Sequence, residues 1–170
     1  MNATSATTPD PIMAAIGTAV SLGTEGNVET ARRDLLAIWR RIGAVGDPLH
    51  RCTLAHHLAD LYEEPAESLV WDVRALDAAE ALTDQRAREY HASLHVAGFY
   101  PSLHLNLADD FRRLGLFQAA TEHINEAENH TSELPEGAYG DTIRTAVHEV
   151  VEAIAERDTT PRASAPHAVQ

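Results

Sequence analysis

Two carboxylates recur in one setting. Asp60 in LAHHLADLYE and Asp109 in LHLNLADDFR each follow Leu-Ala and stand two positions before an aromatic, Tyr62 or Phe111. A repeated aspartate on a helix surface can hold an arginine or lysine through a charge-assisted hydrogen bond. The first copy adds His56, four residues before Asp60, and His91 and His95 repeat that spacing. Residues four apart share a helix face, so each pair could offer two metal ligands. No spacing fixes a third: there is no His-Glu-x-x-His, no Glu-x-x-His pair repeated on several helices, and His57 is offset from the face of His56. The expectation is no bound metal. Nucleophilic and nucleotide chemistry have no signal either. The chain lacks a Gly-x-Ser-x-Gly elbow, a Gly-rich phosphate loop and a Gly-x-Gly-x-x-Gly fingerprint, so no cofactor is expected. Cys52 is the single cysteine and sits at an apolar helical position, which suits a small buried residue better than a nucleophile.

The elements that must carry these residues are helices. Pro11 opens a segment with Ile12, Ala15, Ile16, Ala19 and Val20 on one face, stopping at the Gly23–Gly26 turn. Asn27 then caps a segment whose stripe is Val28, Ala31, Leu35, Ile38, Trp39 and Ile42, ending at Gly43. Asp47-Pro48 starts a third helix, with Leu49, Cys52, Leu54, Leu58, Leu61 and Tyr62 as its apolar surface. Pro65 opens its partner, for which Leu69, Val70, Val73 and Leu76 are the expected buried stripe. From Asp84 to Gly115 the pattern allows one kinked helix or two, and Gly98 and Pro101 favour a break between them. LHLNLADDFRRLG pairs across Gly115 with LFQAATEHINEAENHTSEL, and a last helix runs to Glu156 with Ile143, Val147, Val150, Val151 and Ile154 on its apolar side. No segment alternates with a period of two, so the fold class is all-α. Trp39 and Trp71 read as packing residues; Phe99 and Tyr100 are a core plug at the break or an aromatic anchor for a partner.

Length and charge narrow the classes further. A chain of 170 residues supports one sizeable core. The domain boundaries expected are a flexible N-terminus at 1–9, one helical domain at 10–157 and a disordered Pro- and Ala-rich tail at 158–170. The net charge is −13, and all 13 basic residues are arginine. Such a chain repels a phosphate backbone, so nucleic acid is not an expected partner. No stretch of about 18 apolar residues is present, and the polar start MNATSATTPD has no basic leader. Neither a membrane partner nor a signal peptide is expected, and the cytoplasm is the expected location.

The two opening phrases align beyond their aspartates: Leu54 with Leu103, Leu58 with Leu107, Ala59 with Ala108, and Tyr62 with Phe111. Their partner helices follow, with Ala66, Leu69, Val73 and Leu76 against Phe117, Ala120, Ile124 and Ala127. What repeats is a helix pair. Leu107-Ala108-Asp109-Asp110-Phe111 through Leu114-Gly115-Leu116-Phe117, with Ala120, Ile124 and Ala127, resembles the tetratricopeptide repeat. Leu58-Ala59-Asp60-Leu61-Tyr62 resembles its first helix, and Ala19, Leu22, Gly26, Val28, Ala31, Leu35 and Ile38 form a weaker third copy. The early aromatic of the family is replaced by Ala15, Ala55 and His104, and Ala19, Ala59 and Ala108 are spaced by 40 and 49 residues. The family repeats about every 34.

That resemblance implies antiparallel helix hairpins stacked as a short array, closed by a C-terminal capping helix, whose first helices line a groove. Groove-facing positions by resemblance are Thr53, His56, Asp60 and Glu63 in one helix and Ser102, Leu105, Asp109, Arg112 and Arg113 in the other. Asp60 and Asp109 would hold a cationic segment, with Arg112 and Arg113 addressing a carboxylate. The function implied is a non-catalytic interaction or scaffold module binding a protein or peptide through His56, Asp60, Glu63, Leu105, Asp109, Arg112 and Arg113. A homodimer is another use for an exposed apolar edge of so short an array. The alternative class is a small-ligand binder or metal-assisted enzyme using His56, Asp60 and His91 or His95.

Overall fold

A computed structural model describes residues 9–165, and among them the structure is entirely helical, with no strand. The expected flexible N-terminus, apart from Pro9, lies outside the described residues. Eight α-helices follow one another: α1 (Pro11–Thr24), α2 (Val28–Ile42), α3 (Pro48–Ala59), α4 (Pro65–Glu80), α5 (Asp84–Tyr90), α6 (Tyr100–Arg113), α7 (Phe117–Asn129) and α8 (Ala138–Ala155). Local chemistry sets the boundaries. Asp10 Oδ1 accepts from the N–H groups of Ile12 and Met13 at 3.1 and 3.0 Å, and Asp47 Oδ1 does the same for Leu49 and His50 at 2.9 and 3.2 Å. Each capping aspartate precedes a proline whose missing N–H is no loss at that position. Gly26 and Gly115 close α1 and α6 in the left-handed region, at φ 89° and 77°, where a side chain would be strained.

The helices pack as adjacent pairs: α1 on α2, α3 on α4, α6 on α7. The pairs join through α2 and α1 on α3 and through α4 on α6, and α8 closes the end against α6 and α7. This is a helical hairpin array, as the sequence led us to expect. Two cores run through it. The larger gathers Ile16, Leu35, Leu49, Leu54, Leu58 and Leu103; the smaller gathers Leu105, Ala108, Ile124, Val147 and Val150. Trp39 and Trp71 meet edge to face at 5.2 Å in support of the first, and Phe99 and Tyr100 are half-buried against it.

Three details differ from the sequence reading. The break between α5 and α6 is broader than a kink at Gly98–Pro101: it begins at His91 and includes a 3-10 turn at Val96–Gly98. α4 is rotated from its expected stripe. Val70 and Val73 are about half exposed, while Ser68, Asp72 and the small Ala75, Ala78 and Ala79 face inward, because α4 is pressed between α3 and α6. Finally, residues 158–165 fold back along the array. Arg157 adopts φ 54°, and the N–H groups of Arg157 and Asp158 donate to the carbonyls of Ile154 and Ala153 at 3.1 and 2.8 Å. That paired bonding is the helix-ending turn normally built on glycine, and it reverses the chain toward α6.

Candidate functional site

Where α3, α4 and α6 meet, they enclose a cleft of about 330 Å³. The end of α3 and the turn after it supply Ala59, Asp60, Tyr62, Glu63 and Glu64. α4 supplies Ser68 and Asp72, and α6 supplies Asn106, Asp109, Asp110 and Arg113. Pro161, Arg162 and Ala165 from the segment after α8 complete the wall. Six carboxyl groups thus face one small space that holds two arginines.

The floor is a buried polar network. Asp72 and Asp110 are 2% and 5% exposed. The Ser68 hydroxyl donates to Asp110 Oδ1 at 2.5 Å, and Asn106 Nδ2 donates to Asp72 Oδ1 at 3.3 Å. Asp110 Oδ2 is buried and accepts from no group with a fixed proton. A protonated Asp72 carboxyl donates to the Asp110 carboxylate. Burial, reinforced by the charges of Asp110 and Asp60, pushes Asp72 well above the usual carboxylate range. Burial likewise raises Asp110, to about 7, against the opposing pull of the Ser68 and Asp72 hydrogen bonds. Two carboxyls this close do not both ionise near neutrality, so the pair holds a proton between them there. His56 stands at the edge of this network, its Nδ1 4.0 Å from Asp72 Oδ1 and 3.5 Å from Asn106 Nδ2, and burial lowers it to about 4.

One wall is built around Arg112, whose side chain is wholly buried. Its Nε and Nη2 donate to Asp109 Oδ1 at 3.1 and 2.5 Å, and Nη1 donates to the carbonyls of Asp158 and Thr160 at 2.6 and 2.8 Å. Those bonds tie the returning segment to α6. Arg162, its side chain 9% exposed, then enters the cleft with Nε 3.5 Å from Asp109 Oδ2, and that Nε makes no hydrogen bond. Arg113 reaches across the other rim, donating to the carbonyl of Glu63 at 2.7 Å.

Of the residues expected at a binding groove, Asp60, Glu63, Asp109 and Arg113 come together here, with His56 behind them. Leu105 and Arg112 do not face a groove. The face of α6 that carries Ser102, Leu105, Asp109 and Arg112 is covered by α8 and by the segment after it: Leu105 belongs to the smaller core, and Arg112 is occupied by Asp109 and two carbonyls. His91 and His95 lie away from the cleft. His91 Nδ1 is 2.8 Å from the Ser93 hydroxyl, and His95 contacts Glu133 at 3.2 Å. Among the described residues, no three His, Cys, Asp or Glu side chains gather as a metal-binding group.

Sequence reasoning missed Ser68, Asp72, Asp110 and Arg162. For Asp110 a signal existed: in the aligned copies it stands opposite Leu61, which is 8% exposed in the core, so a carboxylate had replaced a buried leucine. Arg162 had none, since nothing in RDTTPRASAPHAVQ repeats. Comparison with known proteins gives no matching family model, no matching curated protein and no matching solved structure.

Proposed function

We propose that this chain is a non-catalytic protein-interaction module, a divergent array of tetratricopeptide-like helix pairs whose acidic cleft receives an arginine-bearing segment of a protein partner. The observation that carries the reading is the cleft itself, lined by Asp60, Glu63, Glu64, Asp109 and the Asp72–Asp110 pair, into which Arg162 brings its Nε to 3.5 Å from Asp109 Oδ2. Guanidinium is weakly hydrated and presents a planar fork of donors, which makes it the cation best suited to a partly desolvated carboxylate site. A cytoplasmic setting goes with this reading: Cys52 is a buried free thiol, and burial pushes it up to about 12. Among the described residues no helix is long and apolar enough to cross a membrane.

The test is direct binding. Fluorescent arginine-containing peptides titrated against the protein should saturate, weaken with added salt, and lose about tenfold or more in affinity when Asp60 and Asp109 are both changed to asparagine. Equal affinity for the folded double variant would sink the proposal. One observation favours a second reading, small-ligand chemistry at the same cleft: a carboxyl pair sharing a proton is equipment for acid–base catalysis. Mass spectrometry of small ester and amide substrates incubated with the protein separates the two: a binding module returns them unchanged, and turnover lost in Asp72→Asn would favour catalysis.

A further inference from the structure

The segment from Asp158 to Ala165 is seated in the cleft by a particular set of forces. Arg112 holds it through the carbonyls of Asp158 and Thr160, which any extended chain would offer. Pro161 lines the cleft with its φ fixed by the ring, and Arg162 follows it inward at the head of a turn closed by the Ala165 N–H on the Arg162 carbonyl at 3.1 Å. No aliphatic side chain larger than alanine, apart from that proline, and no aromatic occurs between 158 and 165, so no large apolar side chain locks the segment down. The outer anchor is a hydroxyl: Ser164 Oγ accepts from Arg162 Nη1 at 2.5 Å and donates to Glu149 of α8. The fit is incomplete. Arg162 Nε is buried without a hydrogen bond, and Asp110 Oδ2 has no fixed donor.

We propose that this segment is an internal mimic of the partner: the cleft's external ligand is a segment presenting an arginine directly after a proline, and it binds by displacing Arg162 from beside Asp109. This rests on the cleft being a site for cationic segments. In the external segment the arginine supplies the charge match, and the proline removes part of the ordering entropy. Within the segment, Arg162 meets the cleft's carboxylates through one ion contact at 3.5 Å and is otherwise steadied by the exposed Ser164 hydroxyl, so its guanidinium is displaced while Arg112 keeps the carbonyls of Asp158 and Thr160.

The probe is a fluorescent peptide of residues 158–165, with a second peptide in which its arginine is alanine and a third carrying arginine without proline. Each is titrated by anisotropy into the full chain, into Arg162→Ala, and into Glu149→Ala, which loosens the Ser164 anchor without touching the cleft. We expect the 158–165 peptide to bind Arg162→Ala about tenfold more tightly than the unaltered chain. Glu149→Ala should shift in the same direction by less, and the alanine peptide should bind none of the three. Circular dichroism confirms folding of the variants, and Glu149→Ala carries the test if Arg162→Ala is misfolded. Equal binding of the 158–165 peptide to all folded proteins overturns the mimicry. Binding of the proline-free arginine peptide but not the 158–165 peptide also overturns it, while leaving the cleft as a cationic site. If no arginine peptide binds any of them, both readings fall together.

Discussion

At position 110 a carboxyl group occupies a place where the first copy of the repeat buries Leu61, and its proton affinity registers the exchange. Asp110 faces Ser68 and Asp72 on α4 and Asp109 and Arg113 on its own helix, while the charge of Asp60 acts on Asp72. Its folded value near 7 lies above the ordinary value of 3.8, so the folded state holds its proton more tightly than the unfolded chain does. That contribution to stability is complete below about pH 4 and is lost as pH rises through 7. His56, His57 and His104, lowered to about 4, act oppositely, but only below their ordinary 6.5. Between pH 6.5 and 8.5 the carboxyl pair therefore stands apart from these histidines. Urea midpoints of the unaltered protein should fall over that window, and Asp110→Asn should flatten the fall by roughly 1–2 kcal/mol. A variant with the same slope would mean that the pair is not protonated as described. Asp60 and Asp109 were legible because a repeated phrase marks them. Asp72 was not, because its burial depends on how α4 is rotated between two neighbours.

The helices themselves were readable where their ends carry chemistry. Asp47-Pro48, Pro65 and Gly115 all punctuate as expected, and α8 closes the array. The same turn that glycine marks at Gly26 and Gly115 is made by Arg157 after α8, where the residue type gives no hint and the chain's return could not be read. A second unadvertised device joins separate elements. Arg86 of α5 donates to Asp47 Oδ2 at 2.6 Å and Asp10 Oδ2 at 3.2 Å, while His50 Nε2 stands 2.7 Å from the same Asp10 oxygen. One arginine thus braces the capping residues of α1 and α3. Burial by itself would raise both aspartates, but Arg86, His50 and the capped backbone N–H groups hold them below the usual range. Their contribution is present above about pH 4 and fades as pH falls through their lowered folded values. Arg86→Met should cost about 1–3 kcal/mol at pH 7 and clearly less at pH 3, read by chemical denaturation at both. An equal loss at the two pH values would assign Arg86 a packing role instead.

At the scale of the molecule, α6 belongs to both cores: Leu103 reaches the larger and Leu105 the smaller. An element shared this way couples the halves. Trp39 and Trp71 both lie on the side of the larger core, whereas far-ultraviolet circular dichroism reads every helix. Denaturation followed by tryptophan fluorescence and by ellipticity should give coincident curves. An early loss of ellipticity ahead of the tryptophan signal would show that α6 fails to couple α7 and α8 to the rest. The all-helical class and the pairing of hairpins followed from periodicity and the repeat, which are local. The covering of α6 by the returning segment joins residues more than forty positions apart, as Arg112 does with Asp158, and no local pattern encodes it. The turn at Arg157 has one more consequence. It joins the segment to a helix packed beside the cleft, and a tether so short presents Arg162 at an effective concentration on the order of millimolar. A partner at micromolar abundance must then bind roughly a thousandfold more tightly than Arg162 does to share the cleft evenly. The fold of residues 157–162 thereby sets how abundant a partner must be before it is noticed.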